Sequence, residues 1–285
     1  MTTSTPPVNA PLDVAVTLTN GVTMPWLGLG TWRSAEGAEV EAAVRTALEV
    51  GYRHIDTAAV YGNESGVGRA LRESGVPREE IFLTTKVWND AQREGPEAVR
   101  RAFDDSLAKL GVDTIDLYLV HWPVAGRWMD TWRVLEDLYE AGRCRAIGVS
   151  NFLVHHLEEM LPQCRVRPMV DQVEFHPWLV QPELLAFCER EGIRHEAWSP
   201  LMQGRFTELE PLADIAARVG RTPAQVLLRW NLQKGSVTIP KSVTPQRIRE
   251  NAGIFDFELA PEDVARIDGL DRGQRIGPHP DEIEF

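Results

Sequence analysis

The chain has 285 residues, 43% of them hydrophobic, and a formal net charge of -12. That length suits one α/β barrel or two average domains, and the acidic balance disfavours nucleic-acid partners and anionic membrane surfaces. The three cysteines, Cys144, Cys164 and Cys188, include no CxxC pair, which disfavours a disulfide framework or a zinc site and fits a reducing, cytoplasmic setting.

Residues 1–12 are polar and proline-containing, and we expect a flexible N-terminus there. They lack a basic stretch followed by an apolar run, so no signal peptide is expected. No apolar run approaches the ~18 residues that a membrane span needs. Apolar runs at 14–18 and 22–24 flank Asn20-Gly21, a strong short-range hairpin signal. Strand candidates follow at 26–30, 53–56, 81–86, 115–121, 146–150, 169–173, 193–198 and 237–239. Helical segments lie between them, some with readable ends. Thr222-Pro223-Ala-Gln225 combines an N-cap, a proline at the first helical position and a capping-box glutamine, and that helix stops at Gly235. Asp130 is expected to cap a helix ending at Gly142, and Thr244-Pro245 repeats the cap-plus-proline start.

This alternation implies a parallel sheet, and about eight strand–helix units are the number a closed barrel requires. No Gly/Ser linker or composition break divides the chain, so residues 13–285 read as one domain. A doubly wound nucleotide-binding sheet is the competing fold. Its G-x-G-x-x-G fingerprint is missing, because Gly28-Leu-Gly30 and Gly66-Val-Gly68 both lack the third glycine.

Most of the apolar runs stop at polar residues: Asp56, Lys86, His121, Ser150 with Asn151, Gln172, and Lys241 with Ser242. In a parallel barrel all C-terminal strand ends face one mouth, where active sites form. An Asp, Lys and His converging there with a nearby tyrosine, Tyr61, make a poor metal set, since lysine is cationic. No metal is expected. There is no HExxH and no GxSxG elbow. A phenol beside an ammonium suggests proton transfer, because the positive charge favours the phenolate and lowers its pKa.

Three long segments carry a family resemblance. Gly51-Tyr-Arg-His-Ile-Asp56-Thr-Ala-Ala-Val-Tyr61-Gly-Asn-Glu64-Ser-Gly-Val-Gly68 resembles the first signature of the aldo-keto reductases. Glu140-Ala-Gly-Arg-Cys-Arg-Ala-Ile-Gly-Val-Ser-Asn-Phe152 resembles the second. Ile239-Pro-Lys-Ser242 with Arg247 and Asn251 resembles the third. Trp198-Ser-Pro-Leu-Met-Gln-Gly204 and the ending His279-Pro-Asp-Glu282 are similar to the bacterial 2,5-diketo-D-gluconate reductase-like subgroup.

The resemblance implies a (β/α)8 TIM barrel with an N-terminal β-hairpin and a C-terminal tail near the barrel mouth. It implies hydride transfer from NADPH (NADP+) to small aldehydes, α-dicarbonyls or keto sugars. Asp56, Tyr61, Lys86 and His121 match the family's catalytic tetrad, with Tyr61 as proton donor. Ser150, Asn151 and Gln172 match the nicotinamide contacts, and Trp198 the stacking aromatic. Ser199, Leu201, Gln203 and Gly204 would line the pyrophosphate. Lys241, Ser242, Arg247, Glu250 and Asn251 match the adenosine 2′-phosphate and adenine contacts. Of nine tryptophans, Trp32, Trp88 and Trp122 match the substrate pocket, together with His121. The resemblance implies a monomer whose partner is a small carbonyl compound, with no nucleic acid or membrane. Arg275 and His279 are possible contacts for a polar substrate, although a simple surface tail competes with that reading. An NADPH-binding regulatory or sensor barrel with little turnover is the alternative function, and a barrel lyase or isomerase without nicotinamide binding is a third.

Overall fold

The computed structural model describes residues 5–285. Residues 1–4 of the expected flexible N-terminus lie outside the described residues. Further along it, Asn9 N–H donates to the Phe255 carbonyl at 2.6 Å, and Ala10 and Leu12 pack against the core.

The hairpin pairs β1 (Ala15–Thr17) antiparallel with β2 (Thr23–Pro25). Its turn is not the two-residue Asn-Gly form. Leu18 N–H bonds the Val22 carbonyl across a loop of three residues, and only Gly21 has positive φ, at 87°. That is a three-residue hairpin loop closed by a left-handed glycine. The Asn20 amide reaches out of this turn to the Arg145 carbonyl at 2.9 Å, pinning the hairpin to the barrel.

Eight parallel strands follow in sequential order. They are β3 (Leu29–Gly30), β4 (His54–Asp56), β5 (Phe82–Val87), β6 (Ile115–Val120), β7 (Cys144–Ser150), β8 (Val170–Glu174), β9 (Arg194–Trp198) and β10 (Val237–Thr238). Parallel bridges Leu27↔Thr238 and Gly30↔Lys241 join the last strand to the first and close the ring. This explains the glycines that fail as a nucleotide fingerprint. A Cβ on Gly28 would lie 2.7 Å from His54 Nδ1, and one on Gly30 would lie 2.8 Å from the Ile239 carbonyl oxygen. The closing strands approach only because those side chains are absent.

The outer helices are α1 (Ala38–Val50), α2 (Glu64–Glu73), α3 (Asn89–Glu94), α4 (Pro96–Leu110), α5 (Trp128–Glu140) and α6 (Val154–Met160), then α7 (Pro182–Glu191), α8 (Glu210–Val219), α9 (Pro223–Gln233), α10 (Pro245–Ala252) and α11 (Pro261–Asp268). Their apolar faces pack on the strands in one large core. A second cluster centres on Phe175 stacked against Trp230, 4.9 Å apart.

Two helix starts differ from the sequence expectation. The N-cap of α5 is Arg127, and Asp130 sits inside the first turn. A first-turn carboxylate still complements the positive end of the helix dipole, so cap and first-turn signals look alike in sequence. Thr244 stands at the N-cap of α10 but makes no side-chain cap bond; its own N–H instead donates to Ser242 Oγ at 3.1 Å. The α9 box forms as expected, with Gln225 N–H donating to Thr222 Oγ1 and Thr222 N–H donating to Gln225 Oε1. No helix among the described residues is long and apolar enough to cross a membrane.

Candidate active site

Because the strands are parallel, their C-terminal ends share one mouth. Asp56 ends β4, Lys86 lies one residue before the end of β5, and His121 directly follows β6. Lys86 is fully buried, and its ammonium donates to Asp56 Oδ1 at 2.7 Å, Asp56 Oδ2 at 2.8 Å and the Thr57 carbonyl at 2.8 Å. Burial opposes its charge. The negative charges of Asp56 and its neighbours override that, so Lys86 titrates above an ordinary lysine.

Tyr61 lies in the single 3-10 turn that follows β4, residues Ala59–Tyr61. Its ring is half-buried, with the Lys86 ammonium 5.2 Å from its centroid. The His121 ring meets it edge-on at 5.8 Å. The sequence reading has Lys86 lower the phenol's pKa, and it does so. Burial nevertheless outweighs the ammonium, and the Tyr61 phenol is pushed up to about 12. A phenol in that state is fully protonated at neutral pH, as a proton donor must be.

His121 is buried, and burial followed by the charge of Lys86 holds it well below the ordinary imidazole range. It is therefore neutral. Its Nδ1 is buried without a hydrogen-bond partner. A buried N–H without an acceptor is costly, so the proton belongs on Nε2, which makes His121 a donor at that nitrogen.

Beside this group, Ser150 ends β7 and donates to the Gln172 carbonyl at 2.7 Å. Asn151 has positive φ (65°); its Nδ2 donates to the His121 carbonyl at 2.9 Å, and its Oδ1 accepts from Trp198 Nε1 at 2.8 Å. Gln172 is not free to face outward entirely. Its Nε2 donates to Asp56 Oδ2 at 2.8 Å and to Glu196 Oε2 at 2.9 Å, which leaves only Oε1 for a cofactor amide. Beyond β9, Ser199, Met202, Gln203 and Gly204 all have positive φ, which bends the loop tightly around Leu201. Gln203 Oε1 accepts from Arg33 at 3.3 Å, linking this loop to the loop after β3.

Lys241 and Ser242 follow β10 at the start of α10. Lys241 and Arg247 are exposed and, among the described residues, form no ion pair. Asn251 is almost wholly buried and Glu250 half-buried, accepting from Gln246. Arg247 and Asn251 therefore do not present themselves equally.

The structure brings Trp88 and Trp122 to His121, with ring centroids 5.1 Å and 6.4 Å away. Trp32 is 39% exposed and lies under the Arg33 guanidinium at 4.2 Å. Among the described residues no ring contact joins it to the other two.

Several residues here were not singled out from sequence. Phe285 stacks on Trp88 at 5.6 Å and meets Trp122 edge-on at 5.6 Å. Its main-chain oxygen accepts from Asn89 Nδ2 at 3.0 Å and from Arg93 at 2.6 Å. Glu174, at the end of β8, accepts from Ile276 N–H at 2.6 Å and Gly277 N–H at 3.1 Å. This holds the tail over Trp198 so closely that a Cβ on Gly277 would come within 2.5 Å of the indole. Arg275 is not available to a substrate, because it bonds Gln181 and lies 3.9 Å from Glu174. His279 stays at the surface, its Nδ1 accepting from Asp281 N–H. Glu174 carries a readable signal, as a charged residue at a strand end; Phe285 carries none.

A parallel barrel with a buried ammonium, carboxylate and neutral imidazole and a half-buried phenol at its mouth defines a proton-transfer enzyme, and an exposed cationic edge beside it suits an anionic cofactor. The sequence profile of the aldo/keto reductase family matches residues 26–272. The chain belongs to that family, and it is an oxidoreductase. It is 55% identical to the glyoxal reductase of Bacillus subtilis over 274 residues, covering 96% of this chain and 99% of the relative. Among solved structures it is similar to MGS-M4, an aldo-keto reductase from a Medee basin deep-sea metagenome library. That match has TM-score 0.92 and 44% identity and covers 95% of this chain and 100% of the other. A Bombyx mori aldo-keto reductase in complex with NADP matches with TM-score 0.89 and 36% identity, covering 95% and 97%.

Proposed function

We propose that this enzyme reduces small α-dicarbonyls and aldehydes with NADPH, with Tyr61 as the proton donor. The observation that carries the reading is the buried Asp56–Lys86 pair, with its ammonium 5.2 Å from the Tyr61 ring centroid and the neutral His121 ring meeting Tyr61 edge-on at 5.8 Å. The similarity to a glyoxal reductase supports the substrate class. So do the contacting rings of Trp88, Trp122 and Phe285, which put apolar surface beside His121, the polar group that would meet a carbonyl.

The chain's own residues fit a nicotinamide cofactor. Trp198 offers a partly exposed ring, Gln172 a remaining Oε1, and Lys241 and Arg247 offer cations that, among the described residues, have no counter-ion near the start of α10. Ser150, Asn151, Gln172 and Trp198 would hold the nicotinamide. Ser199, Leu201, Gln203 and Gly204 would border the pyrophosphate, and Lys241, Ser242, Arg247, Glu250 and Asn251 the adenosine end. NADPH supplies the hydride. His121 Nε2–H orients the substrate carbonyl by donating to its oxygen. Tyr61 O–H gives its proton to that oxygen as negative charge develops, and Lys86 stabilises the phenolate left behind. Asp56 keeps Lys86 charged and in place. Nothing in this site favours a sensing barrel without turnover, since its acid and orienting groups are all in position.

The direct test is NADPH oxidation across a panel of glyoxal, methylglyoxal, aromatic aldehydes and keto sugars. Turnover of none of them would overturn the reading. We also read residues 13–285 as one domain, the molecule as a monomer and its compartment as cytoplasmic, which the three unpaired cysteines support.

Lys241→Ala is expected to raise the Kd for NADPH about 10- to 100-fold, the worth of one charge-assisted phosphate contact, and to change that for NADH less than about twofold. Fluorescence titration with both cofactors checks it. Equal losses would place the 2′-phosphate elsewhere.

Phe285→Ala should open the pocket beside Trp88. The ratio of kcat/KM for a bulky aromatic aldehyde to that for methylglyoxal is expected to rise about tenfold, as removal of one aromatic wall allows. An unchanged ratio would remove Phe285 from the pocket.

A further inference from the structure

Glu196 is a buried ionisable group that the proton transfer above does not use. It lies on β9, opposite Gln172 of β8 and Val237 of β10 in the strand register, and it is fully buried. One Gln172 amide nitrogen joins it to the site, donating to Glu196 Oε2 at 2.9 Å and to Asp56 Oδ2 at 2.8 Å. Glu196 Oε1 has no hydrogen-bond partner. The Lys86 ammonium donates to Asp56 and to the Thr57 carbonyl, but not to Glu196. The cluster thus contains two carboxyl groups and one ammonium, and the ammonium is committed to Asp56.

We propose that Glu196 is a positioning residue for the reductase site, which works protonated, holding the Gln172 amide against Asp56 while leaving Lys86 opposite a single carboxylate. Charge balance carries the argument. A second carboxylate one amide away from Asp56, in a buried space with one cation, has neither water nor a counter-ion to offset it. Other groups facing it supply no relief. From β4, His54 Nε2 lies 3.7 Å from Oε1 and hydrogen-bonds Thr84 of β5. Burial, then the charge of Lys86, pushes His54 down to about 3, so it brings no positive charge. Tyr61 is a neutral phenol, Gln172 is uncharged, and Val237 is apolar. Consistently, burial followed by the charge of Asp56 pushes Glu196 up to about 8.

The consequence has a definite sign. Below that pH Glu196 is neutral, and when Tyr61 gives its proton to the substrate oxygen the phenolate forms beside Lys86 with a single carboxylate, Asp56, in the cluster. Above it, a second negative charge enters the cluster and opposes the phenolate that must form on Tyr61. The acid weakens, and reduction slows as pH rises. Tyr61 itself, at about 12, is too high to cause that fall. This rests on Tyr61 being the acid.

The test compares single-turnover reduction of methylglyoxal in the wild type and Glu196→Gln across pH. The wild-type rate is expected to fall above about 8, and the fall in Glu196→Gln to move upward by about one pH unit or more. Superimposable alkaline limbs would overturn the proposal, as would total loss of activity in Glu196→Gln at every pH. Infrared titration of the wild type gives a second measurement, free of any variant's folding. A protonated-carboxyl stretch, additional to that of buried Asp171, should vanish as pH rises through about 8, and its absence at neutral pH would also overturn the proposal. That readout needs no turnover and should survive in Tyr61→Phe. A wrong acid and a wrong Glu196 are therefore told apart.

Discussion

Tyr61→Phe should lower kcat for methylglyoxal by about 10²- to 10⁴-fold, the range that general acid catalysis supplies. The affinity for NADPH should stay close to wild type, since the phenol oxygen is not among the groups assigned to the cofactor. The substitution removes one oxygen and leaves the ring. The edge-on contact with His121 and the Lys86 ammonium near the ring face can persist. Any loss therefore reports the missing proton rather than a collapsed site. The measurement is steady-state kinetics with a cofactor titration beside it. Retained kcat would defeat the acid assignment and make His121 the next group to test.

The legibility of this site follows from strand geometry. Asp56, Lys86 and His121 stand out in sequence because each interrupts or follows an apolar run, and parallel topology turns that into convergence at one mouth. Tyr61 had no such signal of its own and gained a role from the family motif. The inward groups within the strands were harder to see. His54 and Glu196 are both buried in strands whose residues are buried almost throughout. Such strands lack the alternation that would mark which side chains face the barrel axis. Phe285 was illegible for a different reason, since nothing local in sequence ties it to Trp88 or Arg93. The phenol's own titration was misjudged because sequence shows charges but not burial, and burial is the larger effect on Tyr61.

Asp56→Asn tests the other half of the tetrad and should be costly twice over. Lys86 is fully buried and takes two of its close contacts from the Asp56 carboxylate. Removing that charge leaves the buried ammonium without its hydrogen-bonded counter-ion, with Glu196 held one amide away, a loss of about 3–5 kcal/mol of stability. Burial then governs Lys86, and its pKa falls. In the wild type the raised lysine pKa gives stability that is complete below the unfolded value and disappears only as pH rises through the folded one. In Asp56→Asn the order is reversed. The unfolded chain binds the proton more readily, so the stability deficit is largest at low pH and shrinks as pH rises. Activity should run the opposite way. At neutral pH a neutral Lys86 no longer favours the Tyr61 phenolate, and kcat is expected to fall by about a hundredfold or more. As pH is lowered Lys86 regains its proton, and kcat should climb while the fold weakens. Urea unfolding and kcat measured across the same pH series check both slopes. An Asp56→Asn enzyme whose activity and stability move together with pH would show that Asp56 does not act by holding the charge of Lys86.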